Sequence, residues 1–498
     1  MRGKKKGVAM RKYLYEFLRE RADKNIYSFH MPGHKGSGEF FGGVFPGLDT
    51  TEFGETDNLY APDGVLKRSM ERAARVFGAA HTFFLVNGST AGIIAAIAAC
   101  VREDEEILVA RNSHRSVYGG LILSGAAPRY VFPDRTPFGA AGGINAGEIK
   151  KTLERFPRVR AAVITSPTYE GFVSDIEEIA GALHERNIPL ITDEAHGAHF
   201  KFHDGFPRTA LSLGADIAVQ SLHKTMPALG QSALLHMRGD FADKGEIEKM
   251  LPLIQTSSPS YLLMGMTDRL IGMLEENGLD YDAYMKKLRA LRAELGKLKN
   301  ISLAGHELKY KYSIRDVDQS KLVMIPGPGV TGRELSEKLA REHGIQIEMS
   351  AAGYAVAITS VADTSEGFSR ISAALKKIDA ELNESGAAYN DGSRRAYNNE
   401  LPRLASDIKT ELPQPTRDIE INFPRSTRDI EMVLTPRRAF NSKTEILPAD
   451  DCIGRIAADF VIPFPPGVPV LVPGERIKSD VVNYISEHRL KNTLAVVR

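Results

Sequence analysis

The sequence predicts an α/β fold built on a mostly parallel sheet, and three observations carry that expectation. From about residue 70 to 240, short apolar runs alternate with stretches of helical periodicity. The runs are continuously apolar, which suits strands covered on both faces by helices. Five polar clusters follow five of these runs: Asn87-Gly-Ser-Thr90, Arg111-Asn-Ser-His114, Ser166-Pro-Thr-Tyr-Glu-Gly171, Asp193-Glu-Ala-His196 and Ser221-Leu-His-Lys224. In open α/β sheets, ligands bind beyond the C-terminal strand ends, so this convergence points to one active site.

The elements follow in order. The basic start, Met1-Arg-Gly-Lys-Lys-Lys6, has no apolar h-region behind it, and a frayed cationic tail is expected over residues 1–7. Tyr13, Leu14, Phe17 and Leu18 recur at helical spacing and predict a short amphipathic helix within 10–22. Strands are expected at 82–86, 107–110, 161–165, 189–192 and 216–220, with a helix over 91–100. Residues 265–300 read as charged helix. Residues 321–380 read strand, helix, strand, strand, helix, a smaller α/β unit. Residues 384–418 lack periodicity and read as a linker, followed by a duplication, Thr416-Arg-Asp-Ile-Glu420 and Thr427-Arg-Asp-Ile-Glu431. Two copies are too few for a solenoid. The stretches Ile462-Pro-Phe-Pro-Pro-Gly467 and Pro473-Gly-Glu475 exclude helix interior and describe a rigid extended loop. The expected division is an arm (1–60), a large domain (61–310), a small α/β domain (311–383), a variable linker (384–445) and a C-terminal α+β domain (446–498).

Composition narrows the function. The chain has 498 residues, 43% of them hydrophobic, with 64 Lys+Arg against 63 Asp+Glu for a net charge of +1. That balance excludes intrinsic disorder and a general nucleic-acid binder, which needs a basic excess. No apolar run approaches the roughly 18–20 residues of a membrane span, so no membrane partner is expected. Two cysteines, Cys100 and Cys452, cannot build a disulfide framework and fit a reducing cytoplasm, the expected location.

The chemistry sits at the strand ends. Lys224 follows a buried strand. It is either an ordinary rim lysine or a desolvated amine whose lowered pKa makes it a nucleophile for an aldehyde. Asp193 is either a helix N-cap or the partner of a protonated pyridine nitrogen. Pyridoxal phosphate needs such a lysine and such an aspartate together. Ser89 and Thr90 are either plain caps or phosphate ligands at a helix N-terminus, with Ser221 and His223 able to add ligands from the neighbouring loop. His114 is either structural or stacked on a pyridine face. Asp193-x-x-His196-x-x-His199 could suggest a metal, but no third strong ligand group accompanies it, and no metal is expected. Gly327-Pro-Gly-Val-Thr-Gly332 fits a dinucleotide fingerprint, with Glu348 at ribose distance. Pro328 removes an N–H there, and only one short βαβ unit is available.

These residues resemble a known family. Ser28-Phe-His-Met-Pro-Gly-His-Lys-Gly36, Asn87-Gly-Ser-Thr90, Asp193-Glu-Ala-His196, Ser221-Leu-His-Lys-Thr225, Thr256-Ser-Ser-Pro-Ser-Tyr261 and the proline-rich C-terminal stretches are similar to the bacterial ornithine/lysine/arginine decarboxylases. The resemblance implies the aspartate aminotransferase-like fold (fold type I) and pyridoxal 5'-phosphate as cofactor. It implies Lys224 as the Schiff-base lysine, Asp193 at the pyridine nitrogen, His114 stacked on the ring and His196 near its phenolic oxygen. Ser89, Thr90, Ser221 and His223 would hold the phosphate. Ser258 would reach the phosphate of the partner subunit in a homodimer. The implied reaction is decarboxylation of a basic L-amino acid, arginine or lysine before ornithine, in polyamine metabolism, with His223 or Lys224 returning the proton to Cα. The chain is similar to the shorter, biosynthetic members, without a receiver-like domain. It departs from the family at Pro227 and Gly230, and Glu55-Thr-Asp-Asn58 replaces a more acidic loop, so substrate choice is affected more than chemistry. Glu52, Glu55, Asp57, Asp63 and Glu475 are candidates for the distal end of the substrate. Another fold type I enzyme, such as an aminotransferase, and a non-catalytic regulatory relative are the alternatives.

Overall fold

The computed structural model describes residues 12–23, 46–53, 55–239, 241–386, 430–463 and 467–498. The 28–36 motif, most of the duplicated Thr-Arg-Asp-Ile-Glu segments and Phe464–Pro466 lie outside the described residues. The strands of the first half are β1 (His81–Leu85), β2 (Glu106–Ala110), β3 (Ala127–Val131), β4 (Val159–Thr165), β5 (Phe172–Val173), β6 (Leu190–Asp193), β7 (Ile217–Ser221) and β8 (Ala233–Met237). Each of the five expected strands is present within two residues of its expected span. Seven of the eight form one sheet in the order β1-β8-β7-β6-β4-β2-β3. β8 runs antiparallel to both its neighbours, and the other pairings are parallel. Strands β2, β7 and β8 are buried at every position, as their continuous apolar runs require.

Helices cover the sheet: α1 (Leu14–Asp23), α2 (Val65–Phe77), α3 (Gly88–Cys100), α4 (Arg115–Ser124), α5 (Ala146–Arg155), α6 (Ile176–His184), α7 (Leu222–Thr225), α8 (Lys244–Ile254), α9 (Tyr261–Glu275) and α10 (Tyr281–Leu295). α1 buries Leu14 and Leu18 in the core shared with α2 and α9, as its amphipathic spacing predicts. The entry to α2 is held by Asp57, whose Oδ2 accepts the N–H groups of Gly64 (2.8 Å), Leu66 (2.9 Å) and Lys67 (3.3 Å), while Oδ1 accepts that of Asp63 (3.0 Å). Burial pushes this carboxyl up, but the backbone donors outweigh it and leave the pKa below its ordinary value. Asp57 therefore caps a helix rather than facing a substrate. Asp57→Ala is expected to cost about 2 kcal/mol in denaturant unfolding at neutral pH. Because the folded value is the lower one, this stability is present above about pH 4 and is lost as pH falls through the folded pKa.

The small domain contains β9 (Ile301–Leu303), β10 (Asp316–Val317), β11 (Lys321–Pro326), α11 (Gly332–His343), β12 (Met349–Ser350), β13 (Ala355–Ile358) and α12 (Ser365–Gly386). β10 pairs with β5 of the large domain. The remaining strands form an antiparallel sheet, β12-β13-β11-β9. This agrees with setting the dinucleotide pattern aside: the strand before Gly327 is antiparallel to both neighbours, so the parallel βαβ unit is missing. Thr331 instead closes a capping box with Glu334. Within 384–445, Pro436–Phe440 form a short helix whose Arg437 donates to the Ile122 carbonyl at 2.8 Å. At the C-terminus β14 (Thr444–Pro448) pairs antiparallel with β15 (Thr493–Val497), and both share a core of their own with helix Ser479–Glu487.

Candidate active site

A cavity of about 1090 Å³ opens where the C-terminal ends of β2, β4, β6 and β7 meet the small and C-terminal domains. Its floor carries the expected residues. Asp193 ends β6, and its Oδ1 accepts the Ala195 N–H at 3.2 Å. Lys224 lies in α7, one turn past β7, and its Nζ donates to His196 Nε2 at 3.1 Å. Burial lowers the Lys224 pKa, partly offset by the Asp193 and Glu348 carboxylates. Burial also pushes His196 well below its ordinary value, and the Lys224 ammonium adds to this, so His196 is neutral and accepts. His114 is the N-cap of α4, with Nδ1 accepting the Ser116 N–H at 3.2 Å, which fixes the ring at the cavity wall. Burial lowers its pKa as well.

Ser89 and Thr90 occupy the first turn of α3, on the cavity wall. Ser221, fully buried at the end of β7, donates to Ser89 Oγ at 2.9 Å. His223 donates from Nδ1 to the Ser232 carbonyl at 3.0 Å. Ser258 does not join this group: it is exposed and absent from the cavity wall. Its loop is tied to the α3 turn by the Thr256 N–H, which bonds Asn87 Oδ1 at 3.2 Å. His199 pairs with buried Asp318 at 3.2 Å.

Other residues come to the site from elements whose spacing gave no functional signal. Tyr169 packs its ring 4.6 Å from that of His196 and donates its hydroxyl to Glu348, bridging the large and small domains across the cleft. Tyr354, Tyr484 and His488 complete the walls. Behind the floor runs a directed chain. Thr82 Oγ1 donates to His236 Nδ1 (2.8 Å), His236 Nε2 donates to Gln220 Oε1 (3.2 Å), and Gln220 Nε2 donates to Glu194 Oε2 (2.7 Å). Burial raises the Glu194 pKa to about 8, with Gln220 and the Ala210 N–H pulling it back.

A desolvated lysine, a carboxylate ending the adjacent strand and a glycine-containing helix N-terminus at one sheet end define a class: the fold type I pyridoxal-phosphate enzymes. The cavity fits such a group. The His196 Nδ1, Asn112 Oδ1 and Thr165 Oγ1 atoms on its wall are buried without hydrogen-bond partners. A carboxylate, an amine and the N-terminus of α3 are all present at its floor.

Comparison with known proteins fixes the family. Residues 13–304 match Orn/Lys/Arg decarboxylase, major domain, and residues 423–493 match the C-terminal domain of the same family. The arginine decarboxylase of Halalkalibacterium halodurans is 31% identical over 94% of this chain and 91% of its own. The lysine decarboxylase of Pseudomonas aeruginosa is 25% identical over 93% of this chain and 73% of its own. The crystal structure of the Francisella novicida lysine decarboxylase superposes with a TM-score of 0.77 at 19% identity, covering 97% of this chain and 81% of that one. The chain belongs to the Orn/Lys/Arg decarboxylase family, whose enzymes use pyridoxal 5'-phosphate to decarboxylate basic amino acids. Among the described residues, no helix is long and apolar enough to cross a membrane.

Proposed function

We propose that this chain decarboxylates L-arginine to the corresponding amine and CO2, with Lys224, Asp193, His114 and His223 as its catalytic residues. The observation that carries the reading is the placement of Lys224 and Asp193 at adjacent strand ends in one cavity. Ser89, Thr90, Ser221 and His223 would hold the cofactor phosphate, Asp193 its pyridine nitrogen, His114 its face and His196 its phenolic side. Once bound, the cofactor supplies an electron sink for the charge left on Cα as CO2 departs. Asp193 would accept the N–H of the protonated ring nitrogen that makes the sink effective. Burial makes Lys224 Nζ give up its proton more readily than a lysine in water, and neutral His196 accepts the hydrogen bond of the nucleophilic amine at 3.1 Å. Proton return to Cα falls to Lys224 Nζ or His223 Nε2. Phe138, Tyr169 and Tyr354 give the cleft an aromatic wall.

Arginine is favoured over lysine by the higher identity to the arginine enzyme and by one carboxylate. Four described acidic side chains line the cleft. Asp193 is committed to the floor, Glu170 is buried against the Tyr354 hydroxyl (2.5 Å), and Asp363 accepts the Ser360 N–H (2.7 Å). Glu348 stands open to the cleft with the Tyr169 hydroxyl on one oxygen, able to receive a planar guanidinium. In a panel of arginine, lysine and ornithine, amine and CO2 are expected predominantly from arginine; a preference for lysine or ornithine, or keto-acid formation, overturns the reading. Glu348→Gln is expected to raise KM for arginine by about tenfold or more with kcat nearly unchanged. A fall in kcat at constant KM would assign Glu348 to the chemistry instead.

The same reading takes the active unit as a homodimer in which Ser258 serves the partner subunit's cofactor. Its exposure, outside its own cavity on a loop tied to Asn87, supports this. Cys100 and Cys452 are both unpaired, which supports a cytoplasmic location.

A further inference from the structure

Strand β1 lies at the edge of the large sheet, so one of its sides has no neighbouring strand. Its last ladder pair is Leu85 with Ala233. Val86 follows, beyond the ladder, and Asn87 then caps α3. The Val86 peptide groups are thus the last joint before the turn read here as the phosphate site, and no strand holds them.

Two glutamine side chains take the place of that missing strand. Gln255, only 6% exposed at the C-terminal end of α8, accepts the Val86 N–H through Oε1 at 2.7 Å. Gln231, at the rim of the cavity, donates Nε2 to the Val86 carbonyl at 2.5 Å. Gln231 does so from a left-handed backbone, φ +78°, which costs a non-glycine residue free energy. Its carbonyl also comes within 3.9 Å of where a Cβ on Gly88 would stand, and Gly88 itself has φ +70°. The two glutamines therefore grip both backbone polar groups of one residue, in two successive peptides, while Ser221 grips Ser89 on the far side of the turn.

We propose that Gln231 and Gln255 are positioning residues that pre-form the Asn87–Thr90 turn for the cofactor phosphate. The proposal rests on the reading of that turn as the phosphate site. Neither glutamine touches the reacting atoms; their effect is on the geometry of the N–H groups at the start of α3.

The test compares two probes on the full-length, cofactor-stripped chain: pyridoxal 5'-phosphate and pyridoxal, which lacks the phosphate. Dissociation constants are read from the visible chromophore, independently of turnover. Gln255→Met and Gln231→Gly are each expected to weaken binding of pyridoxal 5'-phosphate by about tenfold, the loss of roughly one hydrogen bond, with pyridoxal changed less than about twofold. Gln231→Gly also guards against a folding artefact. Glycine adopts the φ of this position without strain, so the thermal midpoint of the stripped variant should match or exceed that of the parent. If both probes weaken equally, or neither does, while the parent discriminates between them, the clamp is wrong. If the parent chain itself binds pyridoxal as tightly as its phosphate ester, the phosphate assignment of the turn falls, and the clamp with it.

Discussion

Lys224→Ala is expected to abolish amine production, with a fall in kcat on the order of 10⁴-fold or more, as when a nucleophile acting within a unit is removed. The same variant should lose the borohydride-reducible link between chain and cofactor. Both effects follow from the position of one amine. Lys224 is carried past the end of β7 by a four-residue helix, and burial lowers its pKa more than Asp193 and Glu348 restore it. A lysine held there gives up a proton more readily than a lysine in water, and neutral His196 is 3.1 Å away to receive the hydrogen bond. Lys224→Arg tests the chemistry separately from the charge. Its guanidinium keeps the cation but stays protonated, so this variant should be equally inactive while folding normally. Retention of more than about a tenth of parental activity by either variant would sink the assignment, since no positioning effect alone is so forgiving of the nucleophile.

Much of this floor was legible in the sequence, for a physical reason. A strand buried on both faces must be apolar throughout, so the residue at which polarity resumes marks the strand end, where α/β sheets bind ligands. Asp193 and Lys224 stand at two such points. What was not legible came from tertiary pairing. β3, Ala127-Pro-Arg-Tyr-Val131, carries Pro128 and Arg129, which an edge strand tolerates and a sequence pattern does not announce. β8 follows the lysine cluster closely, and its reversed direction depends on ladders to β1 and β7. Glu348 lay at ribose distance from a dinucleotide-like pattern, yet the antiparallel small sheet turns it onto the cleft wall opposite Tyr169. The acidic candidates for substrate binding illustrate the same limit. Asp57 reads like any loop carboxylate until the start of α2 folds over it. Glu475 meets its partner 364 residues away in the chain.

That partner is Arg111, and the pair supports the second large prediction. The two side chains are 3% and 4% exposed and approach to 3.1 Å. Arg111 also donates to the carbonyls of Pro469 (2.7 Å) and Val470 (3.3 Å), and lies 5.6 Å from the ring centroids of both Tyr118 and Tyr130. Glu475 Oε2 also accepts the Val472 N–H at 3.0 Å. Burial opposes the charge on Arg111, but the Glu475 carboxylate outweighs it, so the guanidinium stays firmly protonated. Removing Glu475 leaves the guanidinium charged and dry without its counter-ion, and removing Arg111 leaves a buried carboxyl whose pKa burial already pushes up. Arg111→Ala and Glu475→Ala are each therefore expected to cost about 3–5 kcal/mol in denaturant unfolding. The double variant Arg111→Met/Glu475→Leu should recover most of that loss, because two apolar side chains need no partner, and a double-mutant cycle measures the coupling. The consequence reaches the active site. Arg111 opens the Arg111-Asn-Ser-His114 segment, and the Arg115 N–H bonds the Gly467 carbonyl at 3.0 Å. The single variants should thus also loosen His114 and the C-terminal wall of the cleft, seen as a raised KM together with a lowered kcat. If the single losses stay below about 1 kcal/mol, the pair is no anchor, and the C-terminal domain must be held to the large domain by its other contacts.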